Sequence, residues 1–195
     1  EKAVIESNNT YKAKYNLEDM TEINQAQKGF IAKPTGQIIS EKGNVILDFD
    51  AFSFLQDQAP NTVNPTLWRQ AKLNNNVGLF KVTDRVWQIR GFDLANMTII
   101  QGDTGWIIVD TLTSKETAEA ALKFARQHLV EQKISAIIFT HSHIDHFGGA
   151  LGVLSSEEIN ARKTPIIAPK GFMEEATSEN VMAGSAMIRR ATYMY

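Results

Sequence analysis

Residues 139–150 read FTHSHIDHFGGA and hold three of the chain's four histidines. His141, His143, Asp145 and His146 crowd three imidazoles and a carboxylate together, with Gly148 and Gly149 directly behind. Residues two apart share one face of an extended chain, so His141, His143 and Asp145 can point together from a loop. On a helix the same three would fan around the axis. His146 points elsewhere unless the chain turns, and the two glycines accept the unusual backbone angles such a turn demands. Imidazole and carboxylate suit Zn2+ and similar divalent ions. One tetrahedral ion cannot readily use all four groups from so short a loop and still keep a position open. Two ions can, each taking a pair of ligands here and the rest from elsewhere. Two ions about 3.5–4 Å apart form a hydrolytic centre that activates water and clamps the oxygens of a reacting ester. His128, the remaining histidine, stands alone on an amphipathic segment and reads as a surface or flanking residue.

The elements around the motif explain how it is positioned. SAIIFT, at 135–140, is an apolar strand of the buried kind, and the motif begins where it ends. Open α/β sheets commonly hold ligands at that place. TSKETAEAALKFARQHLVEQ precedes it as a helix. Thr113 with Glu116 fits a capping box, and Ala118, Ala121, Leu122, Ala125 and Leu129 recur at helical spacing on one face. Asp110 ends the strand WIIVD before that helix. It reads either as a turn or N-cap acid, or as an acid that orients a ligating His or the metal loop from behind. Upstream, GLFKV, RVWQIR and NMTIIQ are short runs separated by turn residues, as in an antiparallel meander, with a tight turn at Asp103-Thr104-Gly105. Downstream, TPIIAP reads as another buried strand. GFMEEATSENVMAGSAMIRRATYMY reads as two helical pieces broken near Gly184. Arg189 and Arg190 fit a solvated helix face better than an anion site, and Met187, Tyr193, Met194 and Tyr195 fit packing better than a substrate box.

Residues 1–75 are the least regular and read as an arm or lead-in, with 76–195 as the main unit. EDMTEINQAQKGFIA fits a short helix with Ile23, Ala26 and Phe30 on one side, NVILDF a strand, and APNTVNP and LNNNVG turns. A meander followed by alternating strands and helices predicts an α/β (α+β) sandwich with helices outside a mixed sheet.

Bulk properties narrow the function classes. The chain has 195 residues, 43% hydrophobic and 22% charged, which is enough for one sizeable core. A formal net charge of -2 gives no electrostatic case for nucleic acid or an anionic membrane. Cysteine is absent, which excludes disulfides and thiolate metal sites. No apolar run approaches a membrane span, and no signal peptide opens the chain. The first residue is Glu1 rather than Met, and RRATYMY reads like a helix cut short. Both features are expected of a piece of a longer polypeptide.

THSHIDHFGG resembles the hallmark of the metallo-β-lactamase superfamily. Its neighbours narrow the likeness: NTVNPTLWRQAKLN, GLFKV, RGFDLANMTIIQGDTGWIIVD, SKETAEAAL and SENVMAGSAMIRRATYMY are similar to the alkylsulfatases, which hydrolyse detergents such as dodecyl sulfate. The likeness runs from about Asp19 to Tyr195, with one small departure at Ser185, where the family pattern has Asn. The resemblance implies an αββα sandwich, of which this chain holds the first half plus an N-terminal arm. It implies two Zn2+ ions, His141 and His143 on one, Asp145 and His146 on the other. Asp110 matches the superfamily's earlier acidic motif, and Asp145 takes a catalytic role. Also implied are a zinc-dependent sulfuric-ester hydrolase with metal-activated water as nucleophile, a periplasmic or secreted bacterial location, and a homodimer formed through a downstream domain. Family members are considerably longer, and their remaining ligands lie in the rest of the chain, so these residues alone are expected to be inactive. The alternatives are another hydrolase of the superfamily, a lactamase or thioesterase, or a metal-binding fragment without turnover.

Overall fold

The computed structural model describes residues 1–161 and 163–194. Helices α1 (Lys2–Lys14) and α2 (Thr21–Ala26) lead into strand β1 (Phe30–Ala32) and a hairpin of β2 (Gln37–Ile39) and β3 (Val45–Asp48). A 3-10 turn at Ser53–Gln56 and helix α3 (Pro65–Asn74) precede four strands: β4 (Gly78–Thr83), β5 (Val86–Arg90), β6 (Met97–Gln101) and β7 (Trp106–Val109). Then come α4 (Lys115–His128), β8 (Ile134–Ile138) and three short helices: α5 (Ile144–Phe147), α6 (Ala150–Val153) and α7 (Ser156–Asn160). Strand β9 (Ile166–Ile167), α8 (Phe172–Thr177), a π-helical turn at Ser178–Met182 and α9 (Gly184–Met194) complete the order.

One seven-stranded sheet, ordered β1-β4-β5-β6-β7-β8-β9, organises the chain. It is antiparallel from β1 to β7 and parallel from β7 to β9. The expected meander and βαβ unit are both present. Alternation within the strands sends Leu79, Ile89, Met97, Ile99, Trp106, Ile108 and Ile137 to one face, all essentially inaccessible. Ala118, Ala121, Leu122 and Ala125 of α4 cover that face. Alanine at three of these four positions lets the helix lie close to the sheet, and each large aliphatic side chain fully buried there contributes about 1.5–3 kcal/mol. The opposite face carries Ile100, Ile107, Val109 and Ile138, all half-buried.

Several expectations are corrected. The helix near residue 19 stops at Ala26, and Phe30 begins β1 instead of continuing the helical face, because Gly29 turns the chain at φ 76°. A helix, α3, occupies part of the stretch read as turns. Asn64 accepts from the Thr66 and Leu67 amides, and Pro65 opens the first turn. The cap of α4 is Ser114, in a reciprocal box with Thr117, and Thr113 bonds elsewhere. Among the described residues TPIIAP lies at the sheet edge rather than buried, with Ile166 and Ile167 42% and 52% exposed. Phe124 and His128 pack edge to face, with His128 on the exposed side of α4 as expected.

Candidate metal centre at the ends of β7 and β8

A helix crossover joins β7 to β8, so their C-terminal ends lie side by side with Val109 opposite Ile138. The Asp110 amide extends this pairing by donating to Ile138 O at 2.9 Å. The chain then turns sharply, with Asp110 at φ 60° and Leu112 at φ 65°. Aspartate tolerates the left-handed region, but a leucine there is strained by about 1–3 kcal/mol and persists because its surroundings fix it. Leu112 is fully buried. Asp93 also holds the segment, accepting from the Thr113 amide (3.0 Å), the Thr113 hydroxyl (2.7 Å) and the Thr117 hydroxyl (2.6 Å).

After β8, Phe139 is buried, and His143 keeps extended backbone angles as the N-cap of α5. Asp145 and His146 lie within α5, so the second half of the motif is one helical turn rather than loop. That turn brings His146 back toward the strand ends. The glycines work differently from the expectation. Gly148 and Gly149 have φ of -61° and -86°, which any residue adopts. They are required for close approach: a Cβ on Gly148 would sit 2.2 Å from Thr113 O, and one on Gly149 2.1 Å from Thr111 O. The backbone of the motif is bonded to the Asp110 turn there, Thr111 N–H donating to His146 O (2.8 Å) and Gly149 N–H to Leu112 O (2.9 Å).

Hydrogen-bond partners place the ring protons of His141 and His146. Asp110 is 6% exposed and accepts from the Thr140 amide through Oδ1 at 2.8 Å. Its Oδ2 accepts from the Thr140 hydroxyl (2.8 Å) and from His146 Nδ1 (2.7 Å). The single hydroxyl proton of Thr140 is thereby committed, so Thr140 Oγ1 accepts from His141 Nδ1 at 3.0 Å. His141 Nε2 and His146 Nε2 are left as lone-pair atoms. His143 places Nε2 3.3 Å from Glu179 Oε1 and Nδ1 3.1 Å from His141 Nε2. The hydrogen-bond contact of His143 is the one through Nδ1 to His141 Nε2, while its Nε2 lies near the Glu179 carboxylate. His146 Nε2 in turn faces Asp145 Oδ2 at 3.3 Å. The result is two close pairs of potential ligand atoms, His141 with His143 and His146 with Asp145. The rings of His141 and His146 lie 3.9 Å apart between centroids, so the pairs adjoin.

Imidazole nitrogen and carboxylate oxygen are ligand types that divalent ions take. The separations within the pairs match two ligand atoms on one ion with bonds of about 2.0–2.2 Å, so the donor set fits divalent metal. Among the described residues no group of three or more His, Asp or Glu side chains is arranged to hold an ion by itself. The donors come in twos, and each pair needs completing from outside.

The four motif residues and Asp110 are thus brought together. Asp110 sits on His146 rather than capping α4. Arg189 and Arg190 are exposed on α9. Tyr193 is 91% exposed, which corrects the expectation that it packs; Met187 is half-buried. The Met194 side chain and Tyr195 lie outside the described residues. Two acids escaped the sequence reading. Asp93 lies in the turn between β5 and β6, and Glu179 in the π-helical turn, each remote in sequence from the group it contacts. No helix among the described residues is long and apolar enough to cross a membrane.

Comparison with known proteins gives the family of the chain. Residues 90–192 match the metallo-beta-lactamase superfamily. An (R)-specific secondary-alkylsulfatase of Pseudomonas sp. is 51% identical over 176 residues, covering 90% of this chain and 26% of that protein. An alkyl/aryl-sulfatase of Saccharomyces cerevisiae is 45% identical over 179 residues, covering 91% of this chain and 28% of that protein. The solved structure of the stereoselective inverting sec-alkylsulfatase Pisa1 from Pseudomonas sp. superposes with a TM-score of 0.93 at 47% identity, covering 98% of this chain and 30% of that one. The chain therefore spans less than a third of the length of these relatives. With its superfamily match, its donor set and its alkylsulfatase relatives in agreement, the chain belongs to the metallo-beta-lactamase superfamily.

Proposed function

We propose that this chain carries part of the metal centre of a zinc-dependent sulfuric-ester hydrolase acting on alkyl sulfates such as dodecyl sulfate. The observation that carries the reading is the two close pairs of ligand-type atoms, at 3.1 and 3.3 Å, on one motif. Alkylsulfatase relatives near 50% identity supply the substrate class. His141 and His143 would hold one ion, Asp145 and His146 the other. When bound, such ions activate water and neutralise charge on the sulfate.

The chain's own residues do the positioning. Asp110 and Thr140 hold the protons of His146 and His141 on the nitrogens that face away from the centre. Asp145 presents its carboxylate to the reacting region from the first turn of α5. Zinc sites with an open position ordinarily have about three protein ligands per ion. Four donors in two pairs therefore call for further ligands from the rest of the polypeptide. The half-buried apolar face of Ile100, Ile107, Val109 and Ile138 suits packing by the second sheet of a sandwich. A periplasmic or secreted location and a homodimer formed through another domain complete the proposal.

The test uses the full-length protein. Zinc content should approach about two per chain, and sulfate should be released from dodecyl sulfate while a β-lactam ring stays closed and no thiol is released from a thioester. No bound metal after zinc loading would overturn the centre. Turnover of the lactam or thioester alone would replace the substrate class.

A further inference from the structure

Each imidazole of the motif has an oxygen close to one nitrogen, hydrogen-bonded for His141 and His146, and for His143 that oxygen belongs to a segment well beyond the motif. His141 has Thr140 at 3.0 Å, His146 has Asp110 at 2.7 Å, and His143 has Glu179 at 3.3 Å. His143 most needs such a partner, because its side chain is 59% exposed against 21% for His146. An imidazole so exposed rotates and exchanges tautomers freely unless something fixes it.

Glu179 is placed to do this. Its side chain is 23% exposed, low for a glutamate on a surface helix. It lies on the π-helical turn, where Ala183 N–H donates to Ser178 O at 2.9 Å across five residues. Such turns change the helical register locally and are frequent at functional sites. The preceding helix α8 is anchored beneath the motif. Phe172 stacks on Phe139 with centroids 5.5 Å apart and meets Phe147 edge to face at 5.2 Å. Asn180, next to Glu179, bonds Ala176 O at 2.8 Å. Glu179 therefore comes from a docked element, not a loose tail.

The geometry points to Glu179 as a positioning residue. Its carboxylate accepts the Nε2 proton of His143 and so keeps Nδ1 as the lone-pair atom opposite His141 Nε2. With Asp110 on His146, it forms the second of two carboxylate–histidine pairs that brace the motif from opposite sides. This inference rests on the reading of the motif as a metal centre.

Chelator competition with zinc alone, on the full-length protein and its Glu179→Ala and Glu179→Gln variants, tests it. The alanine variant should bind zinc about 10–100-fold more weakly, while glutamine, whose carbonyl still accepts from Nε2–H, should stay within about threefold of the parent. The zinc-free melting temperature should be the same in all three, because the contact orders a ligand without supporting the core. Unchanged affinity in the alanine variant would overturn the assignment. Equal losses in both variants would also overturn it, by making the charge or a direct bond the important feature. If the parent protein itself takes up no zinc, the metal-centre reading fails; if the parent binds and the alanine variant binds equally, only the role of Glu179 fails.

Discussion

Replacing Asp110 by Asn tests the proton assignment at the centre of the site. Asparagine tolerates the φ of 60° as aspartate does, so the backbone does not confound the result. The amide has two possible orientations. If its carbonyl takes the place of Oδ1, it keeps the Thr140 amide bond, but its NH2 then faces His146 Nδ1, which lies 2.7 Å from Asp110 Oδ2 in the parent. His146 must move its proton to Nε2, where it donates to Asp145 Oδ2 at 3.3 Å and loses the lone pair needed for metal. If the carbonyl takes the place of Oδ2, His146 is kept, but the NH2 opposes the Thr140 amide in a buried setting. An unmet buried donor costs about 1–3 kcal/mol. Metal-free protein should adopt the first arrangement at little cost, and metal must force the second. The penalty therefore falls on binding and amounts to about 10–100-fold in zinc affinity, at 1.4 kcal/mol per tenfold. Chelator competition measures that loss, and the zinc-free melting temperature should change little. Zinc affinity equal to the parent's would refute the proton assignment and return Asp110 to a turn residue.

Three further outcomes are expected. His143→Ala and Asp145→Asn should each abolish most alkyl sulfate hydrolysis while the circular dichroism spectrum stays that of the parent, since neither side chain supports the core; near-normal turnover by either would remove it from the centre. Gly149→Ala should destabilise by about 3 kcal/mol or more in denaturant unfolding, because the new Cβ would meet Thr111 O at 2.1 Å, Ser114 O at 2.6 Å and the Ala118 Cβ at 2.7 Å. Thr111→Val should raise stability by about 1 kcal/mol in the same assay, because the Thr111 hydroxyl is buried without a partner among the described residues.

The strands from β4 to β8 were legible because each alternates and is bounded by turn residues, and α4 because its alanines repeat at helical spacing. The motif was legible because metal chemistry needs rare residue types close together. The arm was not. Helix α1 buries only Asn8, so it has no apolar periodicity to read. Helix α3 carries its start signal in Asn64-Pro65, but Asn and Pro also mark turns, so the signal alone does not separate helix from turn. The glycines after the motif were recognised for the wrong reason, since sequence cannot distinguish a backbone needing freedom from one needing room. Glu179 and Asp93 left no local trace. Their importance depends on which atoms meet across the fold, and an isolated acid in a turn or helix gives no hint of that.

The parallel pairing of β7 with β8 is what makes those remote meetings reproducible. In this arrangement the two strand ends emerge together, so Asp110 reaches Thr140 and His146 though thirty and more positions separate them. The Asp110–Leu112 turn is then held twice, by Asp93 through Thr113 and Thr117, and by backbone bonds to His146 and Gly149. Strain of about 1–3 kcal/mol at a buried leucine survives only when several contacts fix it at once, and these do. The consequence is that His141 and His146 have their protons set by Thr140 and by the buried Asp110. Neither needs a metal ion to choose its tautomer. His143 stands outside that frame, on the exposed side of the motif, and its order depends on the packing of α8 beneath it. A disturbance of Phe172 should therefore reach the His141–His143 pair through Glu179, while leaving the Asp110–His146 bond intact.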